Sequence, residues 1–266
     1  VRISHNASAQ NVTFTWPADD TGALASATLN LAPDKPLIAS LTWQATAGAA
    51  RQIVAENLTP LTVLTAGVRD LNRNGWMVFF DKVHTRPSQR FPAKLVPMAV
   101  RATASGTRAR ISIEGLSAGS FTGRYEFTFF AGSPLVLAEA VLTTTQENRA
   151  ILYDAGLVAP LGRARSYAWI DPRQGPQSAP ADTPGGVRAA RHRVAALELP
   201  GGNVTVFPPP HRYLYPLDFA DNFGFNWIGR HYDSAAPGDG VGGRQPPAGD
   251  NRYVPWVNAP PGTEQR

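Results

Sequence analysis

The chain has 266 residues, 43% of them apolar and 17% charged, which supplies a sizeable core and excludes bulk disorder. It contains no cysteine, so disulfides, thiolate metal sites and a cysteine nucleophile are all excluded. The net charge of +5 rests on 25 basic residues scattered without clusters, unlike the basic stripe of a nucleic-acid binder, and no apolar run nears the ~20 residues of a membrane helix.

Strand periodicity dominates. VTFTW (12–16), ATLNL (27–31), LIASLTWQAT (37–46), TVLTAGV (62–68) and WMVFFDKV (76–83) come first. RARISIEGL (108–116), GRYEFTFFA (123–131), LVLAEAVLTT (135–144), AILYDAGL (150–157) and SYAWI (166–170) follow, each rich in β-branched or aromatic residues and closed by turn formers. In 123–131 the alternation puts Tyr125, Phe127 and Phe129 on one face and Glu126 and Thr128 on the other. HRVAALEL and NVTVF flank PGGN (200–203), a hairpin signal. Strands recurring about every ten residues predict an all-β fold, a large two-sheet antiparallel sandwich (supersandwich) with long irregular C-terminal loops, as a single domain over residues 1–266.

The segment D-x-N-x-N-G that begins at Asp70 has the spacing of a calcium loop: Asp70, Asn72, Asn74, the Trp76 carbonyl and Asp81 would be ligands, with Gly75 at the bend. Its flanks read as strand, however, so Asn74–Gly75 is expected to be a type I′ turn. Strand geometry would then carry Asp81 about 17–20 Å from the loop mouth. A structural calcium ion on Asp70, Asn72 and Asn74 is the alternative.

Two stretches break the pattern. Residues 171–191 are rich in Pro, Gly, Ala and Ser and predict a surface loop or lid; residues 207–266 are dense in Pro, Gly and aromatics and predict a loop region on the rigid scaffold. Within the latter, HRYLYPLDFADNFGFNWIGRHYD (211–233) gathers aromatic rings, arginines and amides of the kind that sugar sites use. The catalytic candidates are His211, Tyr213, Arg230, His231 and Tyr232, with Arg212 or Arg230 neutralising a uronate carboxylate while a histidine or tyrosine moves the proton. Arg212, Asp218, Asp221, Asn222, Asn226 and Trp227 are the candidates for substrate binding. The alternative for the same residues is structural, with Phe219, Phe223, Phe225 and Trp227 as core plugs and Asp221 and Asn222 capping turns.

Elsewhere, Glu126, Glu139 and Asp154 lie on predicted strands, and a glycosidase pair would need two carboxylates about 5–9 Å apart. Neither a zinc motif nor a G-x-S-x-G nucleophile elbow is present. GDGVGG (238–243) lacks the lysine of a phosphate loop and is expected to be a flexible segment.

GRYEFTFFAGSPLVLAEAVLTT (123–144) reads strand, G-S-P turn, strand. It resembles a segment of the β-supersandwich domains related to galactose mutarotase that occur in polysaccharide lyases and glycoside hydrolases. The paired histidines and the catalytic glutamate of the mutarotases have no counterpart here, so the resemblance implies a carbohydrate-related scaffold and not mutarotase activity. The expected protein is therefore a glycan-binding or glycan-processing domain of a secreted or periplasmic bacterial carbohydrate-active enzyme. A lyase of uronic-acid-containing glycans and a structural or adhesive β protein are the alternatives. The start without Met or a leader and the ending PPGTEQR predict a mature chain joined to further domains. The expected partner is carbohydrate, with no nucleic acid and no membrane.

Overall fold

The structure is a computed structural model that describes residues 1–68, 88–191, 193–209, 224–232, 236–245 and 256–266, with the backbone alone at Tyr232. The first strands are β1 (Arg2–Asn6), β2 (Asn11–Pro17), β3 (Leu24–Asn30), β4 (Ile38–Gln44) and the long β5 (Gln52–Val68). After β6 (Ser88–Pro92), β7 (Lys94–Leu95) and β8 (Val100–Ser105) come β9 (Arg108–Ala118), β10 (Phe121–Phe130), β11 (Val136–Thr144) and β12 (Arg149–Ala159). The remainder are β13 (Ser166–Asp171), β14 (Gly175–Pro180), β15 (Gly186–Ala189), β16 (Ala195–Leu199), β17 (Gly202–Val206), β18 (Phe225–Tyr232), β19 (Ala236–Arg244) and β20 (Val257–Asn258). No helix occurs among the described residues, so the fold is all-β.

The strands form three sheets. The large one runs β1-β2-β3-β4-β5-β12-β19-β18-β15, with β6 also on β5 and β20 also on β12. A five-stranded sheet runs β11-β10-β9-β7 with β8 on β9, and a four-stranded sheet runs β14-β13-β16-β17. Strand β5 joins two regions of the large sheet: its first part pairs with β4 and its second, from Thr59, with β12. The change of partner follows Asn57, whose φ of 56° is left-handed, and Pro60, which has no N–H to give a ladder.

All three sheets contribute to one apolar core, giving the sandwich arrangement. Phe14 stacks on Phe129 at 4.4 Å between ring centroids, and Trp16 tilts against Phe129 at 4.9 Å. The alternation in β10 is as expected: Tyr125, Phe127 and Phe129 all enter this core. The G-S-P segment is the turn of the β10–β11 hairpin, and Trp16 fixes it by donating its indole N–H to the Ser133 carbonyl at 2.8 Å. A buried indole needs such an acceptor, so this one bond ties the first hairpin to the five-stranded sheet.

Two stretches expected to be irregular contain strands. Residues 171–191 bridge two sheets: β14 edges the four-stranded sheet and β15 edges the large one beside β18. GDGVGG is not a flexible segment but most of β19, buried between β12 and β18. Its glycines serve close approach. A Cβ on Gly242 would lie 2.6 Å from the Ala155 carbonyl oxygen and 2.9 Å from the Cα of Gly156, its cross-strand partner. The sequence lacks the β-branched signature of a strand because the backbones here leave no room for it. Gly242→Val should therefore destabilise the fold by about 3 kcal/mol or more, read as a fall in denaturation midpoint with an unchanged slope.

Candidate functional site

Strand β12 is buried on both faces, and that placement organises the polar chemistry. Ile151, Tyr153 and Leu157 face the main core, whereas Leu152 packs with Trp256 and Val158 with Leu61, Val63 and Trp227 on the opposite face. Asp154 lies on that second face, opposite Val63 and Arg244 and only 6% exposed. Its Oδ2 accepts from Arg90 at 2.9 Å and from the Arg244 Nε at 3.1 Å. Burial raises its pKa, and the charges and hydrogen bonds of Arg244 and Arg90 offset only part of that rise.

A second centre lies on the core side of the large sheet. Arg230 on β18 faces Asp239 on β19, with Nε 3.8 Å from Oδ1, and Asp239 is fully buried. The other carboxylate oxygen accepts from the Ala164 N–H at 2.8 Å. Tyr167 on β13 points its phenol at the same carboxylate; burial, then the Asp239 charge, pushes that phenol well above its usual range. A phenol so shifted holds its proton at neutral pH and is no general base there. Just beyond Arg230, His231 occupies a β-bulge with a left-handed φ of 57° and an exposed side chain.

The third centre answers whether two of the strand carboxylates meet. Glu126 and Glu139 are directly opposed across the β10–β11 pair. Glu126, 3% exposed, accepts from the Arg124 Nε at 2.6 Å and from Arg266 at 2.9 Å, and the Arg110 guanidinium forms an ion pair with it at 2.6 Å. Burial alone would raise its pKa, but the bonds from Arg124 and Arg266 and the charges of Arg110 and Arg124 outweigh it and hold it below the usual range. A carboxylate held by three guanidiniums is a structural clamp, and their neutralisation of its charge makes it a poor nucleophile.

Of the substrate-binding candidates, Asn226 is fully buried and donates to the Val194 carbonyl at 2.8 Å. Trp227 is 2% exposed within its apolar cluster, as a core plug would be. Arg230 reaches solvent with about a third of its side chain (37%) and is anchored through its backbone N–H to the Thr183 carbonyl in the former lid segment. His211, Arg212, Tyr213, Asp218, Asp221 and Asn222 lie outside the described residues, as do Asp70, Asn72 and Asn74 and the Tyr232 side chain. Among the described residues no cluster of three His, Asp or Glu could hold a metal ion.

Two hollows open between the sheets. One of about 150 Å³ lies beside Asp34, Lys35 and Tyr125; the phenol there is pushed up to about 12 by burial while donating to the Thr62 hydroxyl at 3.2 Å. The other, about 430 Å³, lies where β5 and β6 of the large sheet face the β9–β10 turn of the five-stranded sheet. Phe91 forms an apolar wall, Ser88, Gln89 and Ser120 are polar neighbours, and Gln146 and Arg149 enter from the β11–β12 connection. No sequence signal pointed here, because these residues come from four separate stretches of chain. No protein-family model matches the chain, and no curated protein matches it.

Two outcomes follow from the charged centres. Asp154→Asn leaves Arg90 and Arg244 facing an uncharged amide and should cost about 3–5 kcal/mol in chemical denaturation. For Glu126 the folded-state pKa is depressed, so its stabilisation is present above the unfolded value near ~4.3 and disappears as pH falls through the folded one. Thermal melts across that acid window should show a shallower pH dependence for Glu126→Gln than for the wild type.

Proposed function

We propose that this chain is a glycan-binding or glycan-processing β-sandwich domain of the galactose-mutarotase-like kind, and that the larger hollow receives the sugar. The observation that carries the reading is the hollow's combination of size and lining. Its volume of about 430 Å³ falls within the roughly 300–1,000 Å³ typical of small-molecule sites. Phe91 offers an apolar surface to sugar C–H groups, and Gln89 and Gln146 offer amides that both donate to and accept from hydroxyls. Ser88 and Ser120 add hydroxyls. The large and five-stranded sheets keep this lining in place, since all of it sits on their strands or on the short connections between them.

The reading makes the protein part of a secreted or periplasmic bacterial carbohydrate-active enzyme, with carbohydrate as partner and further domains of the same polypeptide beside it. Among the described residues no helix is long and apolar enough to cross a membrane.

The test is a panel of neutral and acidic oligosaccharides measured by calorimetry, with absorbance of the unsaturated product followed in parallel. Binding without product marks a substrate-positioning module, and product from a uronate glycan marks a lyase. If no member of the panel binds or reacts, the glycan reading is wrong. Gln146→Ala and Gln89→Ala should each weaken binding about three- to tenfold, the loss of one or two hydrogen bonds, with little change in melting temperature because both side chains are exposed.

A further inference from the structure

From the lining of the same hollow we infer that it is an anion subsite: Arg149 is placed to receive a carboxylate or sulfate group carried by the ligand. This rests on the glycan reading only for the identity of the molecule that bears the anion.

The argument begins with an imbalance. Two arginines of the described residues, Arg149 and Arg230, have an Nε shut off from solvent without a hydrogen-bond partner, and Arg230 lies against the Asp239 carboxylate. The Arg149 side chain is half-buried. No acidic side chain among the described residues pairs with it, and the nearby Glu147 is exposed.

A guanidinium stays charged at any accessible pH, so it cannot relieve this by losing a proton. Partial desolvation of an unpaired charge is unfavourable, and the relief available is a counter-charge. The backbone fixes the position firmly. Asn148 just before it turns through a left-handed φ of 56°, Arg149 is the first residue of β12, and its carbonyl accepts from the Ala259 N–H at 2.9 Å. Arg149 and Gln146 both line the hollow, so a planar carboxylate or a sulfate bound there is within reach of N–H donors from a guanidinium and an amide.

The experiment compares wild type, Arg149→Gln and Arg149→Lys against three oligosaccharides of matched length: a uronate oligomer, a sulfated oligomer and a neutral one, together with inorganic sulfate. The expected result is tighter binding of at least one acidic oligomer than of the neutral one. The preference, read as the ratio of acidic to neutral affinity in each variant, should drop about tenfold or more in Arg149→Gln and partly return in Arg149→Lys. Which acidic oligomer responds separates carboxylate from sulfate. Melting temperature is the second readout: Arg149→Gln should melt no lower than wild type without ligand, and the rise given by sulfate should vanish in it.

Equal affinity for neutral and acidic oligomers that Arg149→Gln leaves unaltered overturns the anion subsite and leaves the glycan reading standing. A sulfate-dependent rise that needs Arg149, without binding of any oligosaccharide, supports the anion site and removes the glycan reading. A large drop in melting temperature of ligand-free Arg149→Gln shows a structural partner for the guanidinium and also overturns the inference.

Discussion

The double burial of β12 is the constraint on which the rest of the molecule depends. A strand at the middle of a large sheet must satisfy both faces, and here they have different chemistry. One face adds Ile151 and Leu157 to the core shared by all three sheets, and the other holds Asp154 between two tryptophan-centred apolar clusters. Its neighbour β19 packs close against it, which accounts for the glycines at 156 and 242, where a Cβ would meet the opposite backbone. Trp256 settles over Gly67 by the same logic, since a Cβ there would come within 2.8 Å of the indole.

Charge is handled by one repeated device. Each buried carboxylate of the described core is met by arginine: Asp154 by two, Glu126 by three and Asp239 by Arg230. The guanidinium suits this because it keeps its charge when desolvated and presents several donors in a plane, so one carboxylate can bind neighbours from separate strands. Arginine abundance in this chain is therefore tied to the architecture. The clamps join β6, β12 and β19 in one case and β9, β10 and the C-terminal segment in another.

Arg149 lies outside that device: its Nε is buried without a hydrogen-bond partner, and it lines the hollow proposed for the ligand. An open hollow of about 430 Å³, an aromatic side chain, two amides and a cation without an acidic partner meet there. The Arg230, Asp239 and Tyr167 centre is the other arrangement with chemistry in it. There the phenol is held protonated and the carboxylate is fully buried, which suits the junction of two sheets better than proton abstraction.

Local pattern carried the strand content. Alternation identified β2, β3, β9, β10, β11, β12 and β13 nearly to their ends, and Pro200 to Asn203 identified the β16–β17 hairpin, because a half-buried strand records its environment in every second residue. The pattern failed at β14, β15 and β19, where glycine and proline were read as loop. Their strand pairing is imposed by neighbours: β19 is extended because it pairs with β12 on one side and β18 on the other, and at Gly242 a Cβ would meet the β12 backbone. The site was less legible than the fold. The aromatic wealth of residues 211–233 drew attention to Trp227 and Asn226, and the structure buries both. By itself the sequence determined an all-β chain with alternating apolar faces and no thiol chemistry, since those properties reside in composition and in neighbours along the chain. Tertiary structure decided which carboxylates meet arginines, which glycines lie between backbones and which cation borders a hollow, since each depends on residues brought together from distant parts of the chain.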